Sequence, residues 1–274
     1  SKGNTVDPFA TIEKYGADVT RWYMISNSQP WDNLKFDEEG LAETSRKLFG
    51  TLYNTYNFFA IYANIDAFKY EQSDVTPMNE RAEIDRWVIS KLHSLVKETT
   101  AAYADYEPTK AARLVEDFVI EHLSNWYVRL CRRRFWGNEL SQDKKAAFET
   151  LYECLQTVAQ IMSPIAPFFT DWLWQNLIDT KASIHLSTLI AANEKWVDTT
   201  LEQRMEWAQE ISSLILSLRK KTKIKVRQPL QKILIPAIDK DFIAQIDKVK
   251  SLILAEVNVK EIEYIGDTSG IISK

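Results

Sequence analysis

The sequence is poor in cysteine, and its 2 cysteines, Cys131 and Cys154, do not form a CxxC pair. Secreted disulfide frameworks need several closely spaced cysteines, and structural zinc sites use paired cysteine and histidine ligands. The 3 histidines are scattered along the chain. We therefore expect a reducing, cytoplasmic environment, no metal site in this chain, and core positions for both cysteines.

Long apolar runs are also absent from the sequence. The longest, FFAIYA at 58–63 and IMSPIAPFF at 161–169, are too short to span a bilayer, and the second contains two prolines. The first residues, SKGNTVDPF, have neither the basic leader nor the apolar block of a secretory signal. We expect a globular chain without a membrane segment or a membrane partner.

The common catalytic motifs are missing too. The sequence contains no GxxxxGK[ST], GxGxxG or HExxH pattern, and no spacing that supports a Ser, His and Asp constellation. We expect no catalytic residue in this chain.

Turn-forming residues are scarce, since only 7 glycines and 8 prolines occur in 274 residues. Apolar residues instead recur three or four positions apart, which is typical of amphipathic helices. Asp7, Pro8 and Gly16 predict the start and the end of a first short helix, and a second helix follows it. Long helices are predicted over about 38–68, 79–106, 108–136, 142–161 and 201–221. Such helices with short connections indicate a mainly α bundle.

The pattern changes after residue 230. KILIPA predicts a strand, DFIAQIDKVKSLILAE a helix, and VKEIEYI a second strand with alternating polar and apolar residues. We therefore expect three parts: a short segment at 1–36, a helical domain at 37–228 and a small α/β unit at 229–274. The ending IGDTSGIISK has no core pattern, and we expect the last unit to be truncated.

One stretch, SNWYVRLCRRRFW at 124–136, concentrates arginine in a chain whose net charge is −4. On a regular α-helix, with residues at steps of about 100°, a core face and a polar stripe separate. The expected core face consists of Val119, Leu123, Trp126, Tyr127 and Leu130. The stripe, here called the arginine ridge, consists of Asn125, Arg129, Arg132, Arg133 and Trp136, and His122 continues it backward. Planar guanidinium groups and an aromatic ring suit phosphates and bases, and no acidic residue lies between 122 and 138.

The fourth arginine of the stretch, Arg134, is predicted at the edge of the core face. A guanidinium there needs a carboxylate or carbonyl partner, so we interpret Arg134 as structural. For the ridge itself, two interpretations stay open. It is either an RNA contact, or a set of cations that complement the helix dipole and solvate the surface.

A second basic run, LSLRKKTKIKVRQPL, covers residues 216–230. A solvated helix end is the usual meaning of such a run. Two separate basic clusters in an acidic chain nevertheless favour a local nucleic-acid surface, because contacts with phosphates release counterions and add affinity. The candidate contacts in this run are Arg219, Lys220, Lys221, Lys223, Lys225 and Arg227.

Several stretches, taken in order, resemble class I aminoacyl-tRNA synthetases. They are SKGNTVDPF, EKYGADVTRWYMI, WDNLKFDEEG, DRWVISKL, SNWYVRLCRRRFW, SPIAPFFTDWLWQNL and KVRQPL. The resemblance covers nearly the whole chain and is strongest to isoleucyl-tRNA synthetases, with the valyl and leucyl enzymes next. WDNLKFDEEG and KVRQPL favour isoleucine over these alternatives.

The resemblance implies a stem-contact segment, then the helical anticodon-binding domain of class I synthetases, then part of a C-terminal extension. It implies a cytoplasmic enzyme that uses ATP and magnesium to attach isoleucine to its tRNA. This chain would supply the tRNA-binding part, without a cofactor or catalytic activity of its own. Ser1 and Lys2 resemble the end of the KMSKS loop that steadies ATP. The expected partners are the isoleucine tRNA and the enzyme's own catalytic domain, and a helical protein-interaction scaffold is the alternative from another class.

Overall fold

The computed structural model describes residues 6–137, 139–178, 180–237 and 239–266. The chain divides into two compact units, one ending at Val197 and one beginning at Asp198. They are called unit 1 and unit 2 below. Ser1 and Lys2, the predicted remnant of the ATP loop, lie outside the described residues.

Unit 1 is built from helices joined by short turns. In chain order they are α1 (Pro8–Tyr15), α2 (Ala17–Asn27), α3 (Glu38–Thr44), the π-helical turn π1 (Ser45–Phe49), α4 (Gly50–Ile65), α5 (Glu83–Ala104), α6 (Pro108–Asp117), the π-helical segment π2 (Phe118–Val128), α7 (Arg129–Phe135), α8 (Gln142–Met162) and α9 (Pro167–Ile178). Short 3₁₀ turns lie at Gln72–Asp74, Met78–Glu80, Ile184–Leu186 and Glu194–Trp196. The predicted mainly helical fold is confirmed.

The first helix begins and ends as the sequence predicted. The Asp7 carboxylate accepts a hydrogen bond from the backbone N–H of Phe9 at 2.9 Å, and Pro8 occupies the first helical position. Gly16 ends the helix with a φ of 86°, a backbone conformation that favours glycine. These local signals fix the short N-terminal helices before any packing is considered.

Helix α8 is buried on almost every side and forms the centre of unit 1. Among its apolar residues, Phe148 and Leu151 are fully buried. Its buried charged residues, Lys144 and Glu149, are paired, as desolvated charges require. Lys144 Nζ lies 2.5 Å from a carboxylate oxygen of Asp66. Arg81, in the loop before α5, donates two hydrogen bonds to the Glu153 carboxylate at 2.8 and 2.9 Å.

The third long helix departs from the regular α-helix that the sequence analysis assumed. Residues 118–128 are π-helical, so each backbone N–H bonds to a carbonyl five residues back and a turn holds more residues. The predicted face assignments therefore shift towards the C-terminal end. Leu130, expected in the core, is only half-buried, whereas Val128 and Cys131 are buried.

Unit 2 consists of α10 (Thr199–Lys221), β1 (Leu230–Pro236), α11 (Lys240–Val257) and β2 (Val259–Ile265). The two strands pair in parallel, with Leu230 opposite Val259 and Pro236 opposite Ile265, and α11 makes the crossover between them. Helix α10 packs on α11, where the Trp207 and Phe242 rings lie 5.0 Å apart. The predicted strands and helix are thus confirmed. The structure groups α10 with unit 2, and the sequence-based domain ranges stay a prediction.

Within the ranges that the structure describes, no helix is both long enough and apolar enough to cross a membrane.

The half-buried carboxyl group of Glu116 joins α2 to α6 in unit 1. The indole N–H of Trp22, a fully buried residue, donates to the Glu116 carboxylate at 2.7 Å. Burial raises the pKa of the Glu116 carboxyl above its ordinary value, because desolvation penalises the charged form. The next residue behaves oppositely, since a hydrogen bond with His122 lowers the pKa of Asp117.

Replacing Glu116 by Gln is expected to stabilise the chain at neutral pH. The pKa of Glu116 is higher in the folded chain than in the unfolded chain, where it is about 4.5. Ionisation of Glu116 therefore lowers the free energy of unfolding as the pH rises through the folded-state pKa, and it has no such effect below the unfolded-state pKa. Glutamine keeps an oxygen acceptor for Trp22 and carries no charge. Thermal unfolding followed by circular dichroism should show a higher melting temperature at pH 7 and a gain that shrinks towards pH 4.

Asp117→Asn is the matched control, since its lowered pKa predicts lost stability at pH 7. A Glu116→Gln chain that melts below the parent at pH 7, or a gain independent of pH, would contradict this account.

Candidate nucleic-acid interface

The orientation of α7 is set by a buried ion pair beneath it. Both terminal nitrogens of Arg134 donate to the Asp85 carboxylate at 2.7 Å, and that carboxylate is fully buried on α5. Arg134 also donates to both carboxylate oxygens of Asp143, at 2.9 and 2.8 Å, at the start of α8. One guanidinium thus joins three helices, and the prediction that Arg134 is structural is confirmed.

The Asp85 carboxylate has a second donor from π2. The Tyr127 hydroxyl donates to it at 2.7 Å, and burial raises the pKa of Tyr127 well above its ordinary value, so the hydroxyl keeps its proton. Burial also raises the pKa of the neighbouring Cys131 thiol to about 12. Cys131 and Cys154 are both buried free thiols, which confirms their predicted core positions.

With Arg134 held inward, the arginine ridge faces solvent. Asn125, Arg129, Arg132 and Arg133 are exposed, and 55% of the Trp136 surface is accessible. In the described part of the chain, neither Arg132 nor Arg133 forms an ion pair. The exposure predicted from a regular helix is therefore observed, because the ridge arginines lie on α7, which is α-helical.

Local contacts order one side of the ridge. The Nε of Arg129 donates to the backbone carbonyl of Asn125 at 2.7 Å. Its guanidinium carbon also lies 5.8 Å from the centre of the Trp126 ring. The Asn125 amide donates to the Glu121 carboxylate at 3.4 Å. These contacts hold the Arg129 side chain along the helix surface. Glu121, which bonds to Asn125, is the last acidic residue before the acid-free stretch 122–138.

His122 takes a different position from the one that the ridge model predicted. Its side chain is only 14% exposed, and its Nε2 lies 3.3 Å from the Asp117 carboxylate five residues back. That spacing is the i to i+5 relation of a π-helix. The imidazole also packs edge-on against Trp87 of α5, with ring centres 5.9 Å apart. The structure therefore gives His122 a packing contact between π2 and α5, and an RNA contact there stays only a prediction.

The second basic cluster lies in unit 2, in the last turn of α10 and the loop that follows it. Its exposed cations are here called the basic loop: Lys220, Lys221, Lys223, Lys225 and Arg227. Arg219, predicted among the contacts, is instead buried, with 2% of its surface accessible. Its guanidinium donates to the backbone carbonyls of Lys225, Gln228 and Asn258 at 3.2, 3.0 and 2.9 Å. This burial argues against the predicted contact at Arg219, because its two terminal nitrogens are used within the fold.

Sequence reasoning missed the acceptors that sort the arginines. The edge position of Arg134 indicated a partner, but Asp85 lies far away in the chain and no local spacing connects the two. For Arg219, the acceptors are backbone carbonyls, which no side-chain pattern reveals. No group of three or more His, Cys, Asp or Glu side chains suited to a metal ion occurs among the described residues.

Residues 85–234 match the family model of the anticodon-binding domain of tRNA ligase. Among curated proteins, the isoleucine–tRNA ligase of Bacteroides fragilis is 57% identical over 99% of this chain and 24% of its own length. The isoleucine–tRNA ligase of Cytophaga hutchinsonii is 54% identical over 99% and 25%, and that of Thermus thermophilus is 37% identical over 100% and 26%. The chain thus spans about a quarter of the length of these relatives.

Among solved structures, the fold resembles LeuRS in the Agrobacterium radiobacter K84 LeuRS–tRNA–LeuAMS ternary complex. The TM-score is 0.53 with 19% sequence identity, over 72% of this chain and 22% of that one. At this identity the likeness concerns the fold alone.

Replacing Arg134 by Met should destabilise unit 1 strongly. Among the described residues, the change leaves the buried Asp85 carboxylate with the Tyr127 hydroxyl as its one hydrogen-bonding side chain. Breaking a buried pair costs about 3–5 kcal/mol. Arg132→Met is the matched control, since this exposed neighbour on the same helix should change the free energy of unfolding by less than about 0.5 kcal/mol. Urea unfolding followed by tryptophan fluorescence measures both. Equal effects of the two substitutions would show that the buried pair does not hold α7.

Proposed function

Because this chain belongs to the family of anticodon-binding domains of tRNA ligases, we propose that it is the tRNA-binding part of an isoleucine–tRNA ligase. The observation that carries the proposal is the arginine ridge, which is exposed on α7 inside the family match while the chain as a whole is acidic. The isoleucine identity is supported by relatives of up to 57% identity over nearly the whole chain.

The ridge supplies two kinds of contact with a folded RNA. Exposed guanidinium groups present several N–H donors in a planar fork that matches phosphate oxygens. Trp136, at the end of the same helix, presents an open ring on which an unpaired base can stack. Arg129, Arg132 and Arg133 therefore hold the backbone of the anticodon stem and loop, and Trp136 contacts a loop base. Asn125 and His122 complete the proposed contacts in unit 1, and the basic loop of unit 2 supplies a second set.

Amino-acid activation belongs to the remainder of the longer enzyme in this proposal. ATP and magnesium would act in its catalytic domain, which is the proposed protein partner of this chain, and the described residues take no part in the chemistry. The enzyme would work in the cytoplasm, where translation takes place. The role of this chain is to orient the tRNA so that its acceptor end reaches the distant site.

Reversing the charge of two ridge residues tests the proposal. Arg129→Glu with Arg133→Glu replaces attraction to phosphate by repulsion, so affinity for isoleucine tRNA should fall about tenfold or more. The slope of log affinity against log salt should become shallower by about two. Fluorescence anisotropy with labelled tRNA at several salt concentrations measures both quantities.

Lys69→Glu with Lys110→Glu changes the net charge equally at exposed positions outside the ridge, and this control should retain most of the affinity. If both double variants lose the same tRNA affinity, net charge and not the ridge determines binding. Preferred binding of valine or leucine tRNA by the parent chain would contradict the isoleucine assignment. Equal binding of tRNA and an unstructured polyanion would favour a protein-interaction scaffold.

A further inference from the structure

The basic loop lies within a span of unit 2 that lacks acidic residues. No Asp or Glu occurs between Glu210 and Asp239, although the chain carries 38 acidic residues in total. Lysines at a helix C-terminus complement the helix dipole, and that accounts for Lys220 and Lys221 at the end of α10. It does not account for the cations beyond the helix end, at Lys223, Lys225 and Arg227.

Hydrogen bonds from the buried side chain of Arg219 hold the backbone of the basic loop. The guanidinium of Arg219 reaches the carbonyls of Lys225 and Gln228 on the loop, and that of Asn258 just before β2. Asn258 adds a second fixed point, because its side-chain amide donates to the carbonyl of Val226 at 2.8 Å. The loop is therefore held at three of its carbonyls, with its lysine side chains free to point outward.

Lys223 occupies a position where glycine is the usual residue. Its φ is +58°, the left-handed conformation, which ends α10. The N–H of Ile224 then bonds to the carbonyl of Arg219 at 2.9 Å, as in the common glycine-ended helix terminus. A lysine there carries a conformational cost that glycine would avoid, and strained positions that persist often serve function.

A shallow groove of about 250 Å³ lies between the end of α10 and the basic loop. Lys220, Lys223 and Lys225 line it together with the apolar side chains of Ile224 and Val226. Several ammonium groups around one concave surface, without a carboxylate among the lining residues, favour an anionic ligand.

We infer that the basic loop is a preorganised binding site for the phosphate backbone of RNA, in which buried Arg219 acts as a positioning residue rather than a contact. Because the loop is already ordered before RNA binds, the entropic cost of binding is smaller. Lys223 keeps its strained conformation because its side chain must stand at the rim of the groove. This inference rests on the proposed function and names a second contact surface for the same tRNA.

A double-mutant cycle tests the positioning role. Lys223→Ala with Lys225→Ala should lower tRNA affinity about fivefold to tenfold and make the salt slope shallower by about two. Arg219→Met should cause a similar loss and flatten the slope by more than its own single charge. In the triple variant, Arg219→Met should add less than about twofold, because residues that act through one another are not additive. Lys248→Ala, which removes an exposed cation of α11, should leave both quantities unchanged.

Lys223→Gly is a second variant that does not endanger the fold. Glycine suits the left-handed conformation, so the melting temperature should rise by about 2 °C. Affinity for tRNA should nevertheless fall as much as in Lys223→Ala. Higher stability together with full tRNA affinity would overturn the inference, and so would additive losses in the Arg219 cycle.

Parallel assays with Arg129→Glu/Arg133→Glu separate this inference from the proposed function. If the ridge variant loses affinity and the loop variants do not, the loop site is wrong and the proposed function stands. If neither set loses affinity, the proposed function fails as well.

Discussion

The buried carboxylate of Asp85 determines which arginines of unit 1 are exposed to solvent. Deep burial of a charged group is tolerated only when hydrogen bonds and an opposite charge compensate for the lost hydration. Arg134 and Tyr127 provide both, and Arg134 reaches on to Asp143 at the start of α8. Because Arg134 is committed to this pair, α7 has one rotational setting, and that setting leaves the other arginines of the stretch in solvent.

Arg133, Arg134 and Arg219 lie in similarly basic stretches of sequence, but they differ in how deeply they are buried. Arg133 is exposed on α7, and its immediate neighbour Arg134 is half-buried against two carboxylates. Arg219 lies in a run of lysines and yet is buried, with backbone carbonyls as its acceptors. A guanidinium bonded inside the fold positions other groups, whereas one left in water is available to a polyanion. The two basic clusters, in different units, each combine one arginine that is bonded inside the fold with several exposed cations.

Much of the fold follows from local signals. The cap at Asp7, the left-handed Gly16, the apolar periodicity of α8 and the alternation in β2 all predict elements that the structure contains. The π-helical segment at 118–128 could not be predicted, because packing against neighbouring helices and not residue preference decides between the two helical hydrogen-bond patterns. The exposure of the ridge was predicted because the arginines follow that segment, while the burial of Arg219 depends on contacts made by residues as distant as Asn258.

The most direct test of the central claim is arginine-specific chemical modification of the intact chain, followed residue by residue with mass spectrometry in the presence and absence of isoleucine tRNA. Phenylglyoxal is expected to modify Arg129, Arg132 and Arg133 in the free chain, and bound tRNA is expected to slow these reactions. Arg134 should stay unreactive throughout, and Arg46, exposed on π1, should react equally in both samples. Unchanged reactivity of the three ridge arginines at saturating tRNA would show that the ridge does not bind the tRNA.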